Sequence, residues 1–423
     1  MNKKLLSGIF SILFVLFSAS FVSAAIINVP GDSPTIQAAI DAAISGDTIN
    51  VAAGTYAPAF LSWDGFGFLR INKPLTLKGA GSSNTIIDGQ HLHSVILGHD
   101  GIHSTCLWIG SSKVNLEGLT VKGCDWGVRA SDAHSLATEI SDLTFNDVTV
   151  TDNYGHGFVF EKYGSVVFKG IDFVNCNANA NGDRGIYFAP NTNSEDVTLT
   201  NTNANGNLKA GFNCQGTLNG LTINGGRFND NTGGYNYENL ISHLAGPYFG
   251  VGIELDGVSN VKINGIEANR NGLLGPIDCS GAMTGGAGVL LKDDTSNVKI
   301  LNSDLKGNAN GILVEWCKDW PTGSQPSNIE VNCNNIERNV HYGIQNQAPL
   351  TSIDAENNWW GASSGPGPVG PGTGDAVSVN VDFDPWGLHS DSCEPISAPS
   401  ISPILMIVLI GSLAVIGAKR IKV

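Results

Sequence analysis

Charge is scarce in this chain of 423 residues. Asp, Glu, Lys and Arg together make up 14%, and 23 basic side chains face 38 acidic ones, for a formal net charge of −15. A nucleic-acid binder needs a basic face against the phosphates, so that class is excluded. The same balance is compatible with cation binding or simply with solubility. Eight cysteines are present, none in C-x-x-C spacing, which argues against zinc ribbons and dithiol redox motifs. No Asn-x-Ser/Thr sequon occurs despite the abundant Asn. No glycine-rich loop leads from a strand into a helix to cradle a phosphate, and no Ser, His and Asp sit in a nucleophile-elbow context. Gly, by contrast, is common at 53, and low charge with much Gly and Asn predicts many tight turns rather than long solvated helices.

Both ends carry long apolar runs. Residues 1–24 read as a secretory signal peptide: two Lys, an apolar stretch, then Val22-Ser23-Ala24. Ile401 to Ala418 carries no charge and is followed by "KRIKV". About 18 apolar residues suffice to span a bilayer, and a basic tail stays cytoplasmic. The expected organisation is a signal peptide (1–24), an N-terminal cap with the first coils (25–100), a repeat region (101–387), a linker (388–402), a transmembrane or sorting helix (403–418) and a basic tail (419–423). This places the body outside the cell membrane. Export permits disulfides among the eight Cys, with pairings the sequence leaves open.

The repeat region writes one template many times: Asn, a few residues, Gly, then apolar-any-apolar. Its glycines are Gly127, Gly157, Gly185, Gly211, Gly252, Gly288, Gly311 and Gly343. A second alternating segment lies in each interval, such as "LTFNDVTV", "VKINGIEA" and "IEVNCNNI". Strand-only repeats of variable length predict a solenoid, and a right-handed parallel β-helix explains the details. Each coil rises about 4.8 Å and alternation points side chains in and out. Asn153, Asn181, Asn207 and Asn339, each four residues before its Gly, are predicted to stack as a ladder at the turns. A solenoid end needs a cap. Ser33 as N-cap, Pro34 as first helical residue, an apolar face of Ile36, Ala39, Ile40 and Ala43, and a stop at Gly46 supply one.

"TIQAAIDAAISGDTINVAAGTY", "INKPLTLKGAG" and "TIIDG" resemble the N-terminal cap of pectin-lyase-like β-helix proteins. "ENNWWG" with "VDFDPW" resembles the closing segment of secreted right-handed β-helix repeat proteins. The resemblance covers about residues 26–387. It implies an all-β right-handed parallel β-helix, here with an N-terminal capping helix and a C-terminal membrane helix. It leaves the reaction open, because the superfamily holds lyases, hydrolases, esterases, adhesins and non-catalytic proteins.

The polygalacturonase pattern of that superfamily is not reproduced. Gly155-His156-Gly157 precedes Asp293-Asp294 instead of following it, and Arg420-Ile421-Lys422 lies past the apolar C-terminal run. His156 also fills a slot held elsewhere by Trp126, Arg184, Ala210, Ala287, Asn310 and Tyr342, so it reads as a variable turn position. Pectate lyases imply Ca²⁺-binding carboxylates facing a basic residue on neighbouring coils. The alternation puts Glu254 and Asp256 on one outward face about 7 Å apart, with Lys292 one rung from Asp256 and Glu315 one beyond. A surface charge ladder is the simpler reading of that row and a ligand or catalytic site the sharper one, with Ca²⁺ as the cofactor to consider. The longest intervals precede Gly252 and Gly288, so their extra residues are expected to wall a groove there. Tyr235, Tyr237 and Tyr248, with Trp316 and Trp320, offer flat faces for sugar rings or pack the loops down. His91, His93 and His103 raise a metal site, since His-x-His offers two ligands on one strand face, and some related repeat proteins take part in copper delivery.

The leading expectation is a non-catalytic cell-surface protein that binds polysaccharide or another envelope component. The alternative is a polysaccharide lyase or glycoside hydrolase with its groove near Glu254, Asp256 and Lys292. A third is an exported metal-handling protein.

Overall fold

A computed structural model gives the fold; it describes residues 24–57, 68–91, 104–133, 137–234, 248–272, 286–316 and 323–390. The alternating segments become two long parallel sheets. Sheet 1 has fifteen strands and runs, coil by coil, from Ile26–Val29 to Val381–Asp382. Sheet 2 has twelve strands, starting at Leu69–Ile71. A narrow third face links them through short pairings such as Asp304–Lys306 with Asn335–Glu337 and the bridge of Asn177 to Asn203. Among the described strand pairs only Gly233–Gly234 with Tyr248–Phe249 is antiparallel. One coil therefore runs from sheet 1 through the third face to sheet 2 and on to the next rung, a parallel β-helix.

The register turns the alternation into stacks. Val128, Phe158, Ile186, Phe212, Ile253, Val289, Ile312 and Ile344 align on successive strands of sheet 2 and fill the interior. The Phe160 and Phe188 rings stack at 4.3 Å, and Phe145 on Phe173 at 4.9 Å. Burial of a Phe or Ile side chain contributes about 1.5–3 kcal/mol, so the core grows in proportion to the number of rungs.

The asparagine ladder is longer than the spacing predicts. Asn153, Asn181, Asn207, Asn231, Asn271, Asn308 and Asn339 form one column, buried as far as Asn308 and half-buried at Asn339. In each step one Asn donates its amide N–H and side-chain NH₂ to the Oδ1 of the next, as Asn207 does to Asn231 at 2.9 and 3.3 Å. The column ends on Asp375, whose carboxylate takes the same two donations from Asn339. Asn231 and Asn271 escape the four-residue rule because 235–247 and 273–285 are inserted between them and their glycines. Gly stays obligatory at the start of the repeat strands of sheet 2 from Trp126–Ser131 to Asn310–Glu315: a Cβ on Gly185 would sit 2.6 Å from the Ala178 carbonyl oxygen.

The N-terminal cap is helix α1, Ile36–Ala42, packed on strands Ile26–Val29, Thr48–Val51 and Leu69–Ile71. Its N-cap is Thr35, not Ser33. The Thr35 hydroxyl accepts from the Ala38 amide at 3.1 Å, while the Ser33 hydroxyl donates to the Thr35 carbonyl. The helix ends at the extended C-cap Ala43, before Gly46, because Ala43 already turns into the sheet. Ile36, Ala39, Ile40 and Ala43 are buried as the helical spacing predicts. At the far end Trp360 is fully buried in the core. Cys106 is joined to Cys124, Cys333 is also in a disulfide, and Cys176 and Cys214 are buried free thiols. Among the described residues no helix is long and apolar enough to cross a membrane. The signal peptide and residues 401–418 lie outside the described residues.

Candidate active site

The outward rows of sheet 2 follow the alternation. Trp108, Arg129, Val159, Tyr187, Asn213, Glu254, Leu290, Leu313 and Gln345 form one row. Asp256, Lys292 and Glu315 align in the next. Of the charge row read from the sequence, Asp256, Lys292 and Glu315 are half-buried, while Glu254 is 6% exposed and is not a surface charge; on the same face Arg184 is 6% exposed and Asn213 0%. A charged group is kept out of water in this way only where partners or function require it.

Three of these groups converge around Lys292. Its ammonium lies 3.8 Å from Glu254 Oε1, an ion pair rather than a hydrogen bond. Burial pulls the Lys292 pKa down, but Glu254, Glu315, Asp256 and Asp293 outweigh it and the net shift is upward. Asp256 is pushed up to about 6, first by burial and then by the carboxylates Asp293, Glu254 and Asp294, against the pull of Lys292. Lys209 moves the other way: burial, with the neighbouring Arg184 guanidinium, lowers it. One face thus holds a carboxyl raised toward neutrality and an amine lowered toward it, the arrangement acid–base catalysis uses.

Toward the N-terminal coils lies a second cluster that the sequence reading passed over. His156 sits, as the sequence spacing implies, in the turn before strand Phe158–Glu161, but it is packed there at 8% exposure. Its ring is 4.6 Å from that of Tyr187, and its Nδ1 is 3.7 Å from Asp183 Oδ2. Asp183 also pairs with Arg184 at 3.1 Å, and the Arg184 guanidinium lies 4.1 Å from the Tyr187 ring centre. Burial pushes the Tyr187 phenol up to about 12, with Asp183, Glu254 and Glu161 adding to it and Arg184 opposing. Its hydroxyl donates to Gln215 at 2.9 Å. Between the clusters, Asn213 keeps both side-chain polar atoms buried without a partner among the described residues, as does Arg184 Nε. A buried polar atom left without a partner costs about 1–3 kcal/mol. Comparing His156, Arg184 and Tyr187 by rung instead of by linear motif was the signal that could have found this cluster.

Other predicted site residues are placed less tightly. Trp316 is half-buried against the core, and its indole N–H donates to the Gly323 carbonyl at 3.3 Å. Tyr248 lies on the antiparallel ribbon beside Gly234. Tyr235, Tyr237 and Trp320 lie outside the described residues, as do His93 and His103. His91 is exposed and pairs with Asp152 at 3.4 Å. Among the described residues no three His, Cys, Asp or Glu are placed to hold a metal. The acidic row does not fit Ca²⁺ either, because the Lys292 ammonium already stands among its carboxylates.

These features define the class: a right-handed parallel β-helix with a pectin-lyase-like fold, carrying buried and half-buried polar groups on one lateral sheet. No family model matches the chain, and no curated protein sequence matches it significantly. Solved structures do. The chain is similar to the A-module of the mannuronan C-5 epimerase AlgE4 from Azotobacter vinelandii, at 20% identity and TM-score 0.50, over 84% of this chain and 93% of that one. It is similar to the AlgE6 A-module from the same organism at 17% identity and TM-score 0.55, over 83% and 93%. At these identities the likeness carries the fold alone.

Proposed function

We propose that this protein is an enzyme acting on an acidic polysaccharide, by abstraction of the proton next to a uronate carboxylate on the outer face of sheet 2. The observation that carries the reading is the buried row Tyr187–Asn213–Glu254, with Lys209 and Asp256 displaced toward neutrality beside it. The fold shared with two mannuronan C-5 epimerase modules supports it. A non-catalytic surface binder, the leading expectation from the sequence, would gain nothing from burying so many charges, and the enzyme alternative takes its place.

The residues divide the work as follows. Arg184 and Lys292 meet the uronate carboxylate and stabilise the charge that develops on it. Lys209, unprotonated more readily than an ordinary lysine, accepts the proton from the adjacent carbon. The bond's electron pair moves into the carboxylate as an enediolate. From there two outcomes balance. The pair returns to expel the glycosidic oxygen, leaving an unsaturated sugar, with Asp256 or Tyr187 protonating the leaving oxygen. Or a proton comes back on the opposite face and the sugar is inverted. Asp256, with its pKa about 6, and Tyr187 beside His156 stand ready as acids.

The test incubates the full-length chain with mannuronan, polyguluronate, polygalacturonate and neutral glucans. Unsaturated ends are read by ultraviolet absorbance and inversion by incorporation of solvent deuterium. Activity on an acidic polymer is expected, with Glu254→Gln, Asp256→Asn and Lys209→Met each losing about 100-fold or more. Retention of polymer with no product from any acidic substrate would restore the binding-module reading. For location, export with membrane anchoring through 401–418 is our proposal, supported by the two apolar runs. Fractionation of cells making the chain with and without residues 397–423 checks it.

A further inference from the structure

Beside the acid–base face, on the turns that lead into sheet 2, runs an open groove of about 550 Å³. It exists because the chain places small residues there on consecutive rungs: Ala180, Gly182 and Gly206. At Gly182 this is forced, since a Cβ would lie 2.0 Å from the Tyr154 carbonyl oxygen. The Gly182 amide donates to the Asn153 carbonyl at 2.8 Å and the Leu208 amide to Asn181 at 3.1 Å, so the floor is rung backbone held by the asparagine ladder. The paired side chains of His91 and Asp152, with Tyr154, line one end. Thr232 lines the other, next to the ribbon Gly233–Gly234 with Tyr248–Phe249.

We propose that this groove is a second polysaccharide-binding subsite, taking the hydroxyl faces of a pyranose chain that runs along the helix axis. Three observations carry it. The groove spans four rungs, from Tyr154 to Thr232, which is roughly 14 Å at the strand spacing. That rung is close to the repeat of a linear pyranose chain, so successive sugars meet equivalent groups. The lining is peptide, hydroxyl and amide with one exposed aromatic ring, Tyr154, and a single carboxylate, Asp152, set against the His91 ring, which suits hydroxyls rather than carboxylates. And it adjoins the active-site row: Gly182 precedes Asp183 and Leu208 precedes Lys209. A chain in the groove is therefore delivered beside the acid–base groups. The kinetic part of this inference rests on the proposed polysaccharide reaction, whereas the binding part stands alone.

The experiment fills the groove from two backbones. Ala180, exposed with φ of 53°, becomes Trp, and so does Leu208, whose φ is ordinary. Ala180→Asn is the control, since Asn accepts positive φ and leaves the groove open. Affinity electrophoresis of the full-length chain in gels cast with each acidic and neutral polymer reads binding directly. Wild type and Ala180→Asn are expected to be retarded, and both Trp variants to lose about tenfold in affinity. On a polymer that is turned over, the Trp variants raise KM about tenfold while kcat, and KM for a short oligomer confined to sheet 2, stay unchanged. Equal retardation of wild type and both Trp variants overturns the groove while leaving the enzyme reading intact. Retardation without turnover supports the groove and sinks the enzyme reading. No retardation of wild type by any polymer refutes the groove.

Discussion

Asn207 allows the ladder's contribution to be worked out bond by bond. It is fully buried. Its Oδ1 accepts from the Asn181 amide at 3.0 Å and from Asn181 Nδ2 at 3.1 Å, and its Nδ2 donates to the Ala178 carbonyl at 2.9 Å and to Asn231 Oδ1 at 3.3 Å. In Asn207→Ala, Asn181 Nδ2 keeps the Val150 carbonyl at 3.2 Å and Asn231 Oδ1 keeps the residue 207 amide. The Asn181 N–H and the Ala178 carbonyl lose the partner Asn207 supplied. Two buried backbone groups at about 1–3 kcal/mol each place the loss at roughly 2–6 kcal/mol. Asn203, on the partly exposed third face, donates to Asn177 Oδ1 at 3.0 Å and accepts from the Arg227 amide at 3.0 Å; both partners can turn to water, so Asn203→Ala should lose only about 0.5–1 kcal/mol. Because a solenoid unfolds in parts, the assay is amide hydrogen exchange resolved by rung, backed by urea midpoints. Exchange should accelerate most at residues 178–181 and 204–207. If Asn207→Ala and Asn203→Ala fall within 1 kcal/mol of each other, burial is not what gives the ladder its strength, and the reasoning fails.

Two further outcomes follow. Asp256 is pushed up to about 6 in the folded chain against an ordinary aspartate's 3.8, so the native state holds the proton longer than the unfolded chain. The stability this gives is complete below the unfolded pKa and is lost as pH rises through about 6, an effect on the order of 1–3 kcal/mol. Asp256→Asn should flatten that part of the pH–stability curve, and an unchanged slope between pH 4 and 7 would contradict the assigned environment. The Cys106–Cys124 bridge closes an 18-residue separation, so the double Ala variant should lose about 3 kcal/mol, read as a lower urea midpoint that wild type shows only under reductant.

Much of the architecture was legible residue by residue. The apolar-any-apolar segments became strands in the expected register, because a parallel rung demands the same in-and-out alternation of every coil. The cap was legible as a helix with a buried Ile36–Ala39–Ile40 face. Its N-cap was not, since Ser33 and Thr35 are chemically alike and only the direction of the incoming strand selects one. The row Asp256–Lys292–Glu315 could be aligned from Gly spacing alone, yet whether its neighbour Glu254 was a surface charge or a site residue stayed open, because alternation gives direction and not cover.

What the sequence determined by itself is the repeating unit: strand lengths, the turn Asn and Gly, the filled interior and the scarcity of free charge. Those are local, and each coil states them again. Only the tertiary structure decided which distant groups meet. Parallel stacking brings His156, Asp183, Tyr187, Asn213 and Glu254, separated by up to 98 positions, within a few rungs of one another. It carries the ladder past two insertions to Asn231 and Asn271. It also buries the outer face of sheet 2, where the chemistry proposed for this chain resides. The physical reason is that exposure and pKa are set by neighbours one rung away, tens of residues distant along the chain.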